Sequence, residues 1–277
     1  MLPSRRFLVG CAQMRVTDDK ARNLARAAEL ILDASTRGAE LVVLPEMFLW
    51  RGPTNDVPAA AEGLDGPSLS HLSEVARKGN VTVVAGSFYE IDPAGGLPFN
   101  TTVVLGPDGD QLGVYRKIHL FDVSIPGRVE VRESERMQPG DRLVWVDTGV
   151  GRLGLSICYD LRFPELYRRL ALAEVDLLCI PSAFTHATGA VHWEVLLRAR
   201  AIENQVYVLA PNQVGPTTSG PPVWGGSSIV DPWGAVLARA SDTECVVMAE
   251  IDPEHLAEVR RGLPCLEHAR LLSREEN

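Results

Sequence analysis

The sequence predicts an α/β protein in which two β-sheets face each other and helices cover the outside. Three observations carry this expectation. A unit of strand, helix and apolar strand ended by proline occurs twice, once from Val9 to Leu41-Val-Val-Leu-Pro45 and again from Leu155 to Leu177-Leu-Cys-Ile-Pro181. The second strand of each unit is a continuous apolar run, the pattern of a strand buried on both faces. The segments between carry apolar residues at helical spacing, so each half supplies a sheet and its cover, and two such halves pack as layers.

Taken in order, residues 7–12 read as the first strand. Thr17 is the expected cap of a helix with Leu24, Ala27, Ala28, Ile31 and Ala34 at helical spacing, closed by Gly38. Residues 41–44 form the next strand, which Pro45 stops. A capped helix over 68–78 repeats the pattern, and strands follow at 81–85, 87–91, 101–105 and 111–115, the last after a Pro107-Asp-Gly-Asp110 turn. The second half begins with strands at 143–146 and 153–157 and a helix from Pro164 with Leu166, Leu170 and Ala173. Residues 176–181 form a strand, 191–203 a helix and 206–210 a strand. Strands near 227–230 and 245–251 and a short helix after Pro253 complete the reading. Gly149-Val-Gly151-Arg-Leu-Gly154 matches a dinucleotide fingerprint letter by letter, but an apolar strand follows it where a helix should open, so it reads as a hairpin turn.

A chain of 277 residues with 45% hydrophobic content supports one large core, and no composition shift marks a boundary. Residues 1–277 therefore read as a single domain, with about 263–277 as a C-terminal tail. A net charge of −9 argues against nucleic-acid partners and anionic membranes, because both need a basic surface. The five cysteines are scattered, without CxxC or another metal spacing, which suits a reduced, cytoplasmic compartment. Ser4-Arg-Arg-Phe-Leu8 resembles an export signal and Leu8-Val-Gly-Cys11 a lipoprotein box, yet the apolar run there is shorter than the roughly 7–15 residues export needs. No stretch approaches the roughly 20 apolar residues of a membrane span.

Three strand ends carry chemistry. Leu41-Val-Val-Leu-Pro45 delivers Glu46, Gln111-Leu-Gly-Val-Tyr115 delivers Lys117, and Gly154-Leu-Ser-Ile-Cys158 delivers a thiol ahead of a helix that opens at Pro164. The N–H groups and positive dipole end of a helix favour a thiolate, so Cys158 can have a lowered pKa there, the other reading being a buried structural thiol. A nucleophile, a base beside it and a cation where an oxyanion develops are the parts that acyl transfer needs.

Leu44-Pro-Glu46, Tyr115-Arg-Lys117-Ile-His-Leu120 and Cys158-Tyr-Asp-Leu-Arg-Phe-Pro-Glu165 resemble, in chain order, the three catalytic signatures of the nitrilase (carbon–nitrogen hydrolase) superfamily. The resemblance runs from Val9-Gly-Cys-Ala-Gln13 to Ile251-Asp252. Pro181-Ser-Ala-Phe184, Thr188-Gly and the segment 192–203 resemble the branch containing ω-amidase and deaminated-glutathione amidase. It implies a four-layer α-β-β-α sandwich and a Glu46, Lys117, Cys158 triad without metal or organic cofactor. From Arg132-Glu-Ser134 and Pro139-Gly-Asp141 it implies that Glu133 is a second active-site glutamate, leaving Glu130 and Glu135 as surface charges. Tyr159, Phe184 and Thr185 are the implied oxyanion or substrate contacts.

The implied reaction is hydrolysis of a small amide, best an ω-amide beside a free carboxylate, through a cysteine thioester. N-carbamoyl-amine hydrolysis is the enzymatic alternative, and a silent binding protein with the same fold the alternative from another class. His119 reads as a packed neighbour of Lys117. Arg162 reads as half of a structural ion pair beneath the nucleophile, or else as a clamp for a substrate carboxylate. Gly226 stands where related amidases carry histidine. The helix over 191–203 carries Trp193, Leu196, Leu197, Ala199 and Ile202, more apolar faces than one sheet contact uses, so at least a homodimer is expected.

Overall fold

The computed structural model describes residues 2–271. Its first half runs β1 (Phe7–Gln13), α1 (Lys20–Thr36), β2 (Ala39–Val43), the short helix α2 (Val57–Ala60), α3 (Pro67–Gly79), β3 (Thr82–Val84), β4 (Phe88–Glu90), β5 (Phe99–Leu105) and β6 (Gln111–Arg116). A hairpin of β7 (Asp122–Ile125) and β8 (Val129–Arg132) separates it from the second half. There follow β9 (Trp145–Thr148), β10 (Gly151–Leu155), α4 (Pro164–Leu172), β11 (Leu177–Cys179), α5 (His186–Asn204) and β12 (Tyr207–Ala210). A small hairpin of β13 (Val214–Gly215) and β14 (Val223–Trp224), then β15 (Ser228–Val230), β16 (Val236–Arg239), β17 (Cys245–Ile251) and α6 (Pro253–Gly262), complete it.

Two large sheets result, ordered β17-β1-β2-β3-β5-β4 with β6 beside β5, and β16-β15-β12-β11-β10-β9. Their centres are parallel: β1, β2 and β3 in one, β10, β11 and β12 in the other. The two repeated units of the sequence are these two centres.

Period-two alternation in β2 shows how the layers form. Leu41 and Val43 join the core shared with the second sheet, while Val42 and Leu44 join the core beneath α1 and α3. In β1, likewise, Val9 and Cys11 face inward and Ala12 faces the helices. Trp193 and Leu197 of α5 are wholly buried in the core of the second half. The order is helix, sheet, sheet, helix, the sandwich that the resemblance implied. Parallel strands feed their C-terminal ends to one rim, where ligands bind in open α/β sheets.

Several local expectations shift. The cap of α1 is Asp19, whose carboxylate accepts from Arg22 N–H at 3.0 Å; Thr17 instead accepts from the Asp19 N–H through its hydroxyl. The strand expected at 143–146 forms at Trp145–Thr148, set by its pairing with β10 across the turn at Gly149. Helix α5 starts at His186, five residues earlier than its apolar spacing indicates. The polar stretch that holds Glu130, Glu133 and Glu135 is the β7–β8 hairpin plus a 3-10 turn over Glu133–Glu135. Its strands expose one face, so it lacks the apolar run that marks a core strand. Within the expected tail, Leu263 and Leu271 are exposed, while Arg274 and the two glutamates after it lie outside the described residues.

Candidate active site

At the rim, β2 ends in Pro45 and the chain turns through Glu46. A Cβ on Gly86 would collide with the Pro45 carbonyl oxygen, so only glycine lets the strand after β3 approach this turn. Glu46 is buried and fully engaged. Its carboxylate accepts from Asn100 Nδ2 at 2.9 Å, Lys117 Nζ at 2.9 Å and the Ala183 N–H at 2.8 Å, and its carbonyl accepts from Gln213 Nε2 at 2.7 Å. Lys117, one residue past β6, is 2% exposed, and its Nζ also donates to both oxygens of Glu133 at 3.0 and 2.9 Å. Glu133 in turn accepts from the Phe121 N–H at 2.6 Å.

Cys158 follows β10 with φ of +47°, a conformation that L-residues adopt at a cost and that aims the side chain out of the strand direction. Its N–H donates to the Pro181 carbonyl at 2.9 Å, tying the turn to the end of β11. Asp160 locks the turn from beneath. It accepts from the Ile157 N–H at 2.8 Å, Tyr115 Oη at 2.6 Å and the His119 N–H at 3.0 Å, so the strand end that carries the thiol and the one that carries Lys117 share an anchor. His119 Nδ1 lies 2.7 Å from Asp160 and its ring stacks on Phe163, as expected of a packed neighbour.

The surroundings of Cys158 do not lower its pKa. Burial, and then the Glu46 carboxylate facing it, push the Cys158 thiol well above the usual cysteine range. The helical turn from Cys158 to Arg162 is a 3-10 turn of five residues, too short to offset the desolvation. Glu46 behaves oppositely: burial raises its pKa, but the Lys117 charge and hydrogen bonds from the thiol, Lys117 and Ala183 outweigh this and hold it below the usual carboxylate range. For Lys117 burial works downward, and the charges of Glu133 and Glu46 overcome it, leaving an ammonium. The resting site is a thiol facing a carboxylate beside an ammonium.

These groups open into a cavity of about 500 Å³. Tyr159, Phe184 and Thr185 are on its lining; the Thr185 hydroxyl pairs with that of Thr188 at 2.9 Å, and Tyr159 packs edge-on against Phe121 and Phe163. The ion pair expected for Arg162 is absent among the described residues. Its guanidinium lies over the Phe184 ring at 5.0 Å and 3.2 Å from His192 Nδ1, facing the cavity. Gly226 sits in the left-handed region at φ of +65°, and its carbonyl accepts from Trp193 Nε1 at 2.8 Å, so it serves the α5 packing.

Residues 8–261 match the carbon–nitrogen hydrolase family model. The chain belongs to the carbon–nitrogen hydrolase family. It is 44% identical to the ω-amidase NIT2 of Bos taurus, with 95% of each chain covered. Among solved structures, the NitFhit protein of C. elegans superposes with a TM-score of 0.88 at 39% identity, over 98% of this chain and 66% of that one. A mutant of the amidase from Nesterenkonia sp. AN1, with 25% identity, a TM-score of 0.78 and coverage of 96% and 98%, carries the acetamide moiety of fluoroacetamide covalently on its active-site cysteine.

Sequence reasoning missed several groups that shape the site of this carbon–nitrogen hydrolase. Asp160 stood inside the third signature without a role of its own, and Asn100 was one polar residue beside two threonines. Gln213 and the Ala183 N–H gave no signal, because each reaches Glu46 across the gap between the sheets. Arg51 and Arg136 also line the cavity and looked like ordinary loop cations.

Proposed function

We propose that this enzyme hydrolyses the ω-amide of a small carboxylate-bearing substrate, releasing ammonia through a thioester on Cys158. The observation that carries this reading is the buried array in which Lys117 bridges Glu46 and Glu133 beside the thiol. Glu46 accepts the thiol proton as Sγ attacks the amide carbonyl, so the thiolate forms only with the new bond and its high resting pKa is no obstacle. The oxyanion is stabilised by the Lys117 ammonium and the Tyr159 N–H, the first such group after the nucleophile in its turn. Glu46 returns the proton to departing ammonia, then activates the water that opens the thioester. Glu133 holds Lys117 against the pull of Glu46. The route needs neither metal nor organic cofactor. The similarity to ω-amidase supports the substrate class.

The same reading takes residues 1–277 as one catalytic domain working in the cytoplasm as at least a homodimer, without nucleic-acid or membrane partners. No helix among the described residues is long and apolar enough to cross a membrane. Val191, Val195 and Ile202 of α5 are exposed together with Trp233, an apolar face suited to a second copy. The function is tested by assaying ammonia release from dicarboxylic half-amides, simple amides and N-carbamoyl amines. Carbon dioxide produced with ammonia would identify carbamoyl hydrolysis, and failure to turn over any of the panel would refute the amidase reading for this chain.

A further inference from the structure

The charges around the cavity do not balance locally. Lys117 is taken up by Glu46 and Glu133, and at the rim Arg132 lies 3.9 Å from Glu135. Arg51, Arg136 and Arg162 remain, with the Glu130 carboxylate also on the lining, and none of the three arginines has an ion-pair partner among the described residues. Arg162 is spread over aromatic faces. Arg51 donates to Gln213 Oε1 at 3.2 Å and Arg136 to Thr54 Oγ1 at 3.3 Å, both neutral acceptors. Thr54 lies on the loop that carries Arg51, so the two guanidinium groups share one wall of the cavity, which Tyr89 also lines.

Electrostatics agree with this placement. Burial is the main cause lowering the Arg51 pKa; the Glu46 carboxylate acts against it, and the like charge of Arg136 adds a smaller lowering. The Tyr89 phenol is pushed up to about 12 by burial, with the charges of Arg136 and Arg51 acting against the rise. Holding two guanidinium groups together, one of them desolvated, costs stability unless an anion arrives. Planar guanidinium donors match a carboxylate best.

We propose that Arg51 and Arg136 form the carboxylate-recognition wall of this site and select half-amides of short dicarboxylic acids over neutral amides. The proposal rests on the ω-amide reading above, which leaves open what reads the acid group. The cavity then holds its substrate between two poles. The amide carbon faces Cys158 and Lys117, and the distal carboxylate takes the donors that Gln213 and Thr54 occupy only in part.

The experiment compares succinamate with butyramide, alike in length but lacking the acid. Arg51→Met and Arg136→Met should each lower kcat/KM for succinamate at least about tenfold more than for butyramide, and Arg51→Lys should recover part of the difference. A second measurement needs no turnover. Cys158→Ala protein should bind succinate in calorimetry, and adding Arg51→Met should weaken binding at least about tenfold. Equal losses on both amides, or a preference removed by Arg162→Met alone, would overturn the assignment. If wild-type enzyme shows no preference for succinamate, the ω-amide reading fails by itself. The selective role of the arginines falls with it, while carboxylate binding by the wall stands if the Cys158→Ala protein binds succinate through Arg51 and falls if it does not.

Discussion

The burial of Lys117 between two carboxylates sets the working charge of every group near Cys158. Lys117→Met removes the charge that holds Glu46 ionised and, on the proposed mechanism, an oxyanion donor, so kcat should fall by about 10²–10³ or more with KM changed far less. A change confined to KM would reduce Lys117 to a recognition residue. Cys158→Ala should abolish turnover and leave the melting temperature near wild type, since the side chain faces the cavity; retained turnover would exclude the thioester route. The pH dependence follows from the shifts. Glu46, with its pKa held down, contributes stability above the ordinary carboxylate value of about 4.3 that is lost as pH falls through its folded value. Lys117, raised, contributes below the ordinary lysine value of about 10.4 and loses this as pH rises through its own. Because the thiol is raised and need not ionise in advance, kcat/KM should be level from about pH 6 to 9, whereas a rise centred near the free-cysteine value of about 8.5 would show thiolate as the reactive form.

Among the elements, the nucleophile turn is the most over-determined. Asp160 accepts from donors on three segments, and its replacement by alanine leaves those buried donors without partners, at a cost of about 1–3 kcal/mol each before relaxation. Asp160→Ala should therefore lower the denaturant midpoint clearly and reduce kcat, because both the thiol turn and the start of the Lys117 loop lose their anchor. Wild-type stability would show that the rest of the turn suffices. The β7–β8 hairpin has the opposite character, with few buried residues, yet its far end places Glu133. Glu133→Gln should impair catalysis less than Glu46→Gln if its task is to hold Lys117. Equal effects would give it a part in proton transfer.

At the scale of the whole molecule, the exposed strip of Val191, Val195 and Ile202 lies on the helix that buries Trp193 and Leu197 against the sheet. Such a face loses its contact with water when a second copy docks on it. Sedimentation at micromolar concentration should show a species of at least twice 30.2 kDa. Val195→Glu should dissociate it without unfolding the subunit, whereas a wild-type monomer with full activity would refute the interface.

The sequence by itself determined the two repeated strand–helix–strand units and the order in which an acid, an ammonium and a thiol leave their strands. Those features are local: continuous apolar runs mark central strands, and Pro45 and Pro181 mark where they stop. Glu133 was legible only through the resemblance, because the polar hairpin around it carries no core periodicity. Tertiary structure alone decided the protonation of Cys158, since a short turn would favour thiolate and a carboxylate from the other sheet opposes it. It also decided the partners of Glu46, drawn from Asn100, Ala183 and Gln213, and the meeting of Arg51 with Arg136 on one wall. In each case residues distant in the chain share a space from which water is excluded. There a charge is set by the groups it faces, and the order of residues along the chain does not encode which groups those are.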